Sequence, residues 1–428
     1  MNDNSFSRNG QDLARRWMAR YLAAPAKVSD IRAPEDGPAS DSAEERRARR
    51  LHSAAIRNLR LHRHILDALL KRPPKREVLA VLHLALAELD LDARGKQPAI
   101  IDSWVGAARR AGGAPAAGLA NAVLRKAAAR LAQARSGSAG LSPALLHSHP
   151  DWLVGRWRRD RGEAETLRLL AWNQGVPATF ASVAPGAPVP AGLAPARWRG
   201  FHRLEGGIPP PVRAAIAAGA LTIRDPATRI AVSLLAAERP RSVLDLCASP
   251  GGKSRALLSD PAGPGILTAA DLPGRLGRLS ENLAPWKERA AVAPVDLTDP
   301  GSFPAGWAGA FDGVLLDAPC SNTGVLRRKP DAKWRLQPSD LERLPAMQSA
   351  FLRRAAGFVR PGGVLVYSTC SLEPDENRAV ADAFLASPEG RDFHLTAALG
   401  TLPTRTGHDG AGAFRFRRSG KAPAPPPL

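Results

Sequence analysis

The chain has 428 residues, of which 44% are hydrophobic and 23% are charged, a composition typical of a soluble globular protein with two or three domains. Its 60 lysines and arginines outnumber its 40 aspartates and glutamates, and the net charge of +20 favours a polyanionic partner, although an arginine-rich composition alone would also produce it. The sequence has no apolar run long enough to span a membrane, no apolar core of a signal peptide, and too few cysteines for a disulfide framework. We therefore expect a cytoplasmic protein with reduced thiols.

Helical periodicity dominates the first third of the chain. Apolar residues recur at helical spacing, with strong helix formers between them, over 44–70, 75–91 and 115–134. The pattern predicts an all-helical domain over residues 8–135. The first 150 residues hold 25 basic and 14 acidic side chains, so much of the positive charge belongs to this region. The sequence RSGSAGLSP that follows is typical of a flexible linker.

A small mixed domain is expected over residues 145–219. The segment that begins at Asp151 predicts a pair of helices, and PATFASV at 177–183 predicts a short strand. The Pro/Gly/Ala-rich stretch 184–211 is typical of a loop.

From Asp225 onward, short apolar strands alternate with helical segments. The predicted strands are 242–247, 265–271, 290–296, 312–319 and 362–370, and the predicted helices between them include 275–288 and 340–359. This alternation predicts a parallel, doubly wound α/β sheet over residues 220–419. The Pro-rich end, 420–428, predicts a disordered tail.

Polar and small residues follow each predicted strand, and ligands bind at the carboxyl ends of the strands in open parallel sheets. All three cysteines of the chain fall at this one edge, whereas packing alone would scatter them through the strands. In chain order, the edge residues are Asp245, Cys247, Pro250, Gly251, Gly252, Lys253, Asp271, Asp296, Asp317, Pro319, Cys320, Thr369 and Cys370.

The turn after the first strand, CASPGGKS, indicates a cofactor site. It is not a phosphate-binding P-loop, since Cys247 stands where the first glycine would be, and it is not GxGxxG. A glycine pair still lets a ligand approach the backbone, and Asp271 ends the next strand, where a carboxylate can bind ribose hydroxyls. An adenosine-type cofactor without a phosphate chain fits this pattern. Taken singly, each aspartate at a strand end is more simply explained as an exposed carboxylate or a helix cap than as a cofactor ligand.

Cys320 and Cys370 each follow a strand beside a polar residue. A thiolate is a strong nucleophile, and its pKa falls near basic groups such as those of Arg327 to Lys329. No CxxC motif or neighbouring histidine suggests zinc, so no metal site is predicted. The alternative is a buried structural thiol. Two thiols, a carboxylate and an adenosyl cofactor together suit methylation at C5 of a pyrimidine, in which a thiolate adds to C6.

The sequence from 225 to 418 resembles the Sun/NOL1/NOP2 family of RNA (cytosine-5) methyltransferases. The resemblance rests on VLDLCASPGGKS, AADLPGRLGRLSENL, LLDAPCSNTGVLRRKPDAKW and GGVLVYSTCSLEPDEN. Residues of about 10–135 resemble the NusB-type helical RNA-binding domain, through REVLAVLHLALAEL and GLANAVLRK. The combination is similar to the bacterial 16S rRNA methyltransferase B subfamily. It implies a Rossmann-like methyltransferase domain after a NusB-like helical domain and a small RNA-contacting domain.

The resemblance also implies roles for the edge residues. Cys370 would be the nucleophile that attacks C6, Cys320 would assist release of the methylated base, and Asp317 would contact the base and the cofactor. The S-adenosylmethionine site would comprise Cys247, Ala248, Ser249, Pro250, Gly251, Gly252, Lys253, Asp271, Asp296 and Asp317. We therefore expect an S-adenosylmethionine-dependent enzyme that methylates C5 of a cytosine in ribosomal RNA, as a monomer.

Two other functions remain open from the sequence. A tRNA cytosine-5 methyltransferase would use the same chemistry, although the NusB-like region argues against it. A non-catalytic RNA-binding factor for ribosome assembly would share the fold, although the intact Cys370, Cys320 and Asp317 argue against that alternative.

Overall fold

The computed structural model describes residues 8–33, 42–260 and 263–420, so the predicted tail lies outside the described residues except for Gly420. The chain divides into two compact units. The first comprises Met1–Val176 and Leu326–Gln337, and the second comprises Pro177–Val325 and Pro338–Leu428. Within the described ranges, every helix is too short or too polar to cross a membrane. The predicted domain boundaries near residues 135, 145 and 219 stay predictions.

The first unit is helical throughout its described part, as the sequence predicts. Its helices up to residue 174 are α1 (Arg8–Ala23), α2 (Val28–Ile31), α3 (Ala43–Arg57), α4 (Leu59–Asp67), α5 (Arg76–Asp90), α6 (Gln97–Arg135), α7 (Pro143–Leu146), α8 (Asp151–Arg161) and α9 (Glu163–Gln174). The periodic stretch 44–70 forms two helices that meet at Asn58. Helix α6 kinks at Gly112 and Gly113, where the latter has a φ of 74°.

Helix α5 lies at the centre of the first unit. Its residues from Val78 to Ala87 are almost all buried, which explains why its sequence is apolar around the whole circumference. Leu82, Leu84 and Leu86 are fully buried, and each such side chain contributes about 1.5–3 kcal/mol through removal from water. Helices α1, α3 and α6 pack around it.

The segment 326–337 returns to the first unit from a distant part of the sequence. Trp334 packs against the helical core and donates a hydrogen bond from Nε1 to the carbonyl of Ile56 at 2.8 Å. Lys333 is buried, and its Nζ donates to the carbonyl of Arg57 at 2.9 Å. Helix α14 (Ala332–Arg335) carries both side chains. The sequence did not predict this return, because it depends on contacts between residues almost 280 positions apart.

The second unit contains a small antiparallel sheet. Its strands are β1 (Thr179–Val183), β2 (Leu193–Pro195), β3 (Phe201–Leu204) and β4 (Leu221–Ile223), in the order β2-β3-β1-β4, with helix α10 (Pro210–Ala217) beside them. The prediction of a loop over 184–211 is wrong at β2 and β3. Strands of three or four residues are too short to display a readable alternation of apolar and polar residues.

The larger sheet has seven strands, in the order β10-β11-β9-β8-β5-β6-β7. The strands are β5 (Ser242–Leu246), β6 (Ile266–Asp271), β7 (Ala290–Pro294), β8 (Phe311–Asp317), β9 (Val359–Thr369), β10 (Phe393–Thr401) and β11 (Ala411–Arg418). The five adjacent strands from β9 to β7 in this order are parallel, as predicted. The sheet is not wholly parallel, because β10 and β11 add an antiparallel pair beside β9.

Helices cover both faces of the larger sheet. They are α11 (Arg229–Ala236), α12 (Gly252–Leu258), α13 (Leu276–Leu283), α15 (Asp340–Ala356) and α16 (Arg378–Leu385), while the short helix α17 (Pro403–Thr406) follows β10 in the chain. Successive strand residues point to opposite faces, so Leu244 packs in one core with Phe351 and Phe384, while Val243 packs in the other with Leu257. A sheet covered in this way explains the almost continuous apolar strands of the sequence.

Candidate active site

The parallel strands bring the predicted edge residues together at one edge of the sheet. Strands β5, β8 and β9 are neighbours and run in the same direction. Their carboxyl ends therefore lead side by side into the turn after Leu246, into Asp317, and into Cys370, which follows Thr369. Side chains that are far apart in the sequence meet at this edge.

The sulfur atoms of Cys320 and Cys370 lie 3.2 Å apart. Asn322 accompanies this pair: its Oδ1 accepts a hydrogen bond from the Cys370 thiol at 3.4 Å, and its Nδ2 donates to the Cys320 carbonyl at 2.7 Å. Asn322 has a φ of 63°, a left-handed conformation that asparagine tolerates better than most residues. The sequence singled out both cysteines, but nothing in its pattern indicated the role of Asn322.

The surroundings of Cys320 hold its thiol in the neutral form. The hydrogen bond with Cys370, followed by burial, raises the pKa of the Cys320 thiol well above its ordinary value. Cys320 therefore keeps its proton at neutral pH.

Asp317 and Lys253 form an ion pair beside the thiols. Asp317 also accepts a hydrogen bond at Oδ1 from the hydroxyl of Ser368, at 3.0 Å. Burial disfavours the charged form of Lys253, but the Asp317 carboxylate outweighs burial and raises the pKa of the ammonium, with a smaller contribution from Cys370. Lys253 therefore stays protonated. The sequence grouped Lys253 with the cofactor turn, and the structure places its ammonium on Asp317.

The turn from Cys247 to Gly252 links β5 to α12. Gly251 has a φ of 97°, a backbone conformation that favours glycine, and a Cβ there would lie 3.1 Å from a methyl carbon of Leu279. A Cβ on Gly252 would meet nothing within 4 Å, so the backbone at the start of α12 faces open space. Burial, with a contribution from Asp271, raises the pKa of the Cys247 thiol, which keeps it neutral.

Asp271 holds this turn in place from the end of β6. Its Oδ2 accepts the Ser249 amide at 2.8 Å, and its Oδ1 accepts the Leu272 amide at 2.8 Å. Asp296, after β7, instead closes its own turn, where Oδ1 accepts both the amide and the hydroxyl of Thr298 at 2.7 Å. These hydrogen bonds lower the pKa of the exposed Asp296 carboxyl. Of Asp271 and Asp296, only Asp271 contacts the turn from Cys247 to Gly252.

Asp245, which lies on β5 under the same turn, is wholly buried. Ser254 donates a hydrogen bond to its Oδ2, while Oδ1 has no partner among the described residues. Burial raises the pKa of this carboxyl to about 7, even though the Ser254 hydroxyl opposes the shift. The described residues contain no group of three or more His, Cys, Asp or Glu side chains arranged to hold a metal ion.

Two family models match the chain. Residues 232–408 match 16S rRNA methyltransferase RsmB/F, and residues 15–129 match the NusB family. The first match contains the turn from Cys247 to Gly252, Asp317, Cys320 and Cys370. The second match lies in the helical first unit.

Individual relatives agree with the family models. Ribosomal RNA small subunit methyltransferase B of Pasteurella multocida is 33% identical over 310 residues, covering 63% of this chain and 65% of the relative. The protein of the same name from Cronobacter sakazakii is 38% identical over 222 residues, covering 50% of this chain and 51% of the relative. The chain thus matches less than two thirds of the length of either relative.

A solved structure, PH0851, has the same fold over nearly the whole chain. It superposes with a TM-score of 0.73 at 18% identity and covers 97% of this chain and 100% of its own. Identity at this level establishes the fold alone. Residues 232–408 are therefore similar to the RsmB/F methyltransferases, and residues 15–129 are similar to the NusB family.

Proposed function

We propose that the protein transfers a methyl group from S-adenosylmethionine to C5 of a cytosine in 16S ribosomal RNA, through a covalent bond between Cys370 and C6 of the base. The observation that supports this most directly is the pair of sulfur atoms 3.2 Å apart at the carboxyl edge of the sheet, beside Asp317. A methyl transfer to oxygen or nitrogen would need neither thiol. Carbon 5 of cytosine needs both a nucleophile at C6 and a group that removes the C5 proton.

The turn residues fit S-adenosylmethionine, which supplies an electrophilic methyl group when bound. The open backbone at Gly252 allows close approach, and the backbone conformation at Gly251 favours glycine. Cys247, Ala248, Ser249 and Pro250 complete the turn. Each carboxylate oxygen of Asp271 keeps a lone pair beyond its backbone hydrogen bond, which suits the hydroxyl pair of a ribose.

Cys370 acts as the nucleophile. Its sulfur lies 3.2 Å from that of Cys320, and the nearby Lys253 ammonium favours the thiolate. Addition of this thiolate to C6 makes C5 electron-rich, so that C5 attacks the methyl group. The ion pair of Lys253 with Asp317 keeps the positive charge beside the site.

Cys320 then becomes able to act as the base. The hydrogen bond with Cys370 is the largest cause of its raised pKa. Once the Cys370 sulfur is a thioether, it carries no charge and is a weak acceptor, so this cause disappears and the pKa of Cys320 falls. Cys320 can then release its own proton to water, and the resulting thiolate takes the C5 proton, so that the C5–H electrons form the C5–C6 double bond and the Cys370 sulfur leaves C6 with the electrons of the C–S bond.

Asp317 selects the base. A carboxylate accepts hydrogen bonds from the exocyclic amino group of cytosine, whereas uracil presents a carbonyl oxygen at that position. Lys253 and Ser368 hold Asp317 from two sides, and 34% of its side-chain surface stays exposed. This arrangement favours cytosine over uracil.

Methyl transfer from radiolabelled S-adenosylmethionine to 16S rRNA and to tRNA, in separate reactions, tests the proposal. We expect label in 16S rRNA at C5 of cytosine and none with Cys370→Ala, which should still bind the cofactor. Label in tRNA alone would identify tRNA, and not 16S rRNA, as the substrate. RNA binding without any methyl transfer would indicate a non-catalytic factor. Bisulfite sequencing of rRNA from a deletion strain would identify the cytosine.

A further inference from the structure

A fully buried carboxylate, Glu376, lies next to both cysteine-bearing loops without touching either sulfur. It ends the short turn Pro374–Glu376, shortly after Cys370, and has 0% of its surface exposed. Its Oε2 accepts the backbone amide of Ser321 at 2.8 Å, and its Oε1 accepts the hydroxyl of Ser371 at 2.6 Å. Ser321 directly follows Cys320 in the chain, and Ser371 directly follows Cys370.

A third donor fixes the same carboxylate from helix α15. The side-chain amide of Gln348 donates from Nε2 to Glu376 Oε2 at 2.9 Å, and it also contacts the Pro319 carbonyl at 2.9 Å. Tyr367 donates its hydroxyl to the Glu376 carbonyl at 2.6 Å. Gln348 and Tyr367 are both wholly buried. The residues on both sides of Cys320 are therefore held by one buried network.

The chemistry of this network requires a carboxylate. An ionised carboxylate is an acceptor only, with about four lone-pair positions, so it can take an amide N–H, a side-chain amide and a hydroxyl together. An amide at position 376 would have to turn its oxygen toward Ser321 and Gln348, and its NH2 group toward the Ser371 hydroxyl. That hydroxyl would then have to accept instead of donate. Hydrogen bonds to an ionised acceptor are also the stronger kind, which offsets the burial of the charge.

We infer that Glu376 is a positioning residue, which sets the distance between the Cys320 and Cys370 sulfurs by holding the residues that follow them. Its role in catalysis rests on the proposed function, but its effect on the sulfur pair does not. The two loops also meet directly, since the Gly324 amide donates to the Cys370 carbonyl at 3.0 Å. Removal of the Glu376 carboxylate therefore loosens the pair without separating the loops.

The distance between the sulfurs can be measured by oxidation. Diamide takes one hydrogen from each of two neighbouring thiols and becomes a hydrazine, while a disulfide forms between the sulfurs. We expect the wild type to form the Cys320–Cys370 disulfide rapidly, as identified by peptide mass spectrometry. Because disulfide geometry is specific, Glu376→Ala should form it at least about tenfold more slowly. Glu376→Gln should be intermediate.

Asp382→Asn is the matched control, since it exchanges the exposed acid of the Arg378–Asp382 ion pair on the next helix for an amide. It should react as the wild type does. Thermal melting and cofactor binding by calorimetry establish that each variant is folded. If Glu376→Ala does not fold, the isosteric Glu376→Gln decides. Oxidation of a folded Glu376 variant at the wild-type rate would overturn the inference.

Kinetics provide the second readout. The kcat for methyl transfer should fall about 100-fold in Glu376→Ala, because a displacement of about 1 Å at a reacting group costs this much. The KM for S-adenosylmethionine should not change, and Glu376→Gln should recover part of the activity. A slow disulfide in the variant, with no methyl transfer by the wild type, would support the positioning role and reject the proposed function. An unchanged kcat in a folded Glu376→Ala variant would reject the positioning role.

Discussion

At the residue scale, Cys320 and Cys370 have the same side chain, and their sulfur atoms lie within hydrogen-bonding distance of each other. The raised pKa of Cys320 means that this thiol keeps its proton. If Cys370 forms the bond to C6 and Cys320 removes the C5 proton, each substitution should stop the reaction at a different step.

Cys320→Ala should methylate the base once and remain attached to it, because alanine cannot take the C5 proton. The expected product is a protein–RNA band that survives denaturing electrophoresis and requires S-adenosylmethionine. The double variant with Cys370→Ala should show no band, since it forms no bond to C6. Free turnover by Cys320→Ala, without the band, would assign proton removal to another group.

Asp271 is the residue for which a cofactor role and a structural role can be separated. Asp271→Ala should weaken S-adenosylmethionine binding by about 1–3 kcal/mol, because it leaves polar partners without a hydrogen bond. Asp299 is the control: it also accepts a backbone amide of its own turn, from Gly301 at 2.9 Å, but it lies after the next strand. Calorimetry should find an unchanged dissociation constant for Asp299→Ala. An unchanged constant for Asp271→Ala would leave Asp271 a strand-end carboxylate only.

At the element scale, helices α4 and α5 bury an uncharged histidine pair. The rings of His62 and His83 lie 5.8 Å apart, and both ring nitrogens of His62 lack a partner among the described residues. Burial, followed by the charge of Arg135, lowers the pKa of His62 to about 3. Burial also lowers the pKa of His83 well below its ordinary value. Protonation of either ring is therefore incompatible with the packed helices.

This pair should make the first unit sensitive to acid. Below the ordinary histidine pKa of about 6.5 the unfolded chain binds a proton that the folded chain does not, so the free energy of unfolding falls with pH. The decrease begins near that pH and continues down to the folded value of about 3 for His62. At pH 5 it amounts to about 2 kcal/mol for one such histidine.

Hydrogen exchange of the α5 amides, corrected for the intrinsic effect of pH, measures this decrease between pH 7 and pH 5. His62→Leu should reduce the change, because leucine removes one titrating group. Exposed His64 on the same helix is the control, and His64→Leu should retain the full change. Equal changes in the wild type and His62→Leu would contradict the assignment.

At the scale of the whole molecule, the net charge of +20 should draw RNA to the protein. Four exposed basic side chains stand close together in the sequence, from the segment after α4 to the first residue of α5. They are Lys71, Arg72, Lys75 and Arg76, and none forms an ion pair in the part of the chain that the structure describes. Such a group is available for RNA phosphates.

Replacing all four with alanine should weaken RNA binding and flatten its salt dependence. The slope of log K against log salt should change by about 0.7–0.9 for each phosphate that the variant no longer neutralises. Cofactor binding should not change. The double variant Arg343→Ala/Arg378→Ala is the control, because both exposed arginines pair with acids on their own helices. An unchanged slope in the fourfold variant would mean that these side chains only face solvent. Deletion of the helical region is less suitable, since Trp334 packs against its core.

The sequence by itself determined the helical first third, the five parallel strands and the edge at which Asp317, Cys320 and Cys370 meet. Periodicity and strand-end residues are local signals, and parallel strands place their carboxyl ends together whatever the details of packing. Only the tertiary structure decided the 3.2 Å contact of the sulfurs, the ion pair of Lys253 with Asp317 and the buried Glu376 between the loops. It also decided the short strands β2 and β3, the antiparallel pair β10 and β11, and the return of 326–337 to the helical unit. These features depend on contacts between residues far apart in the chain. Neither a single hydrogen bond nor a packed tryptophan produces a periodic sequence pattern from which it could be predicted.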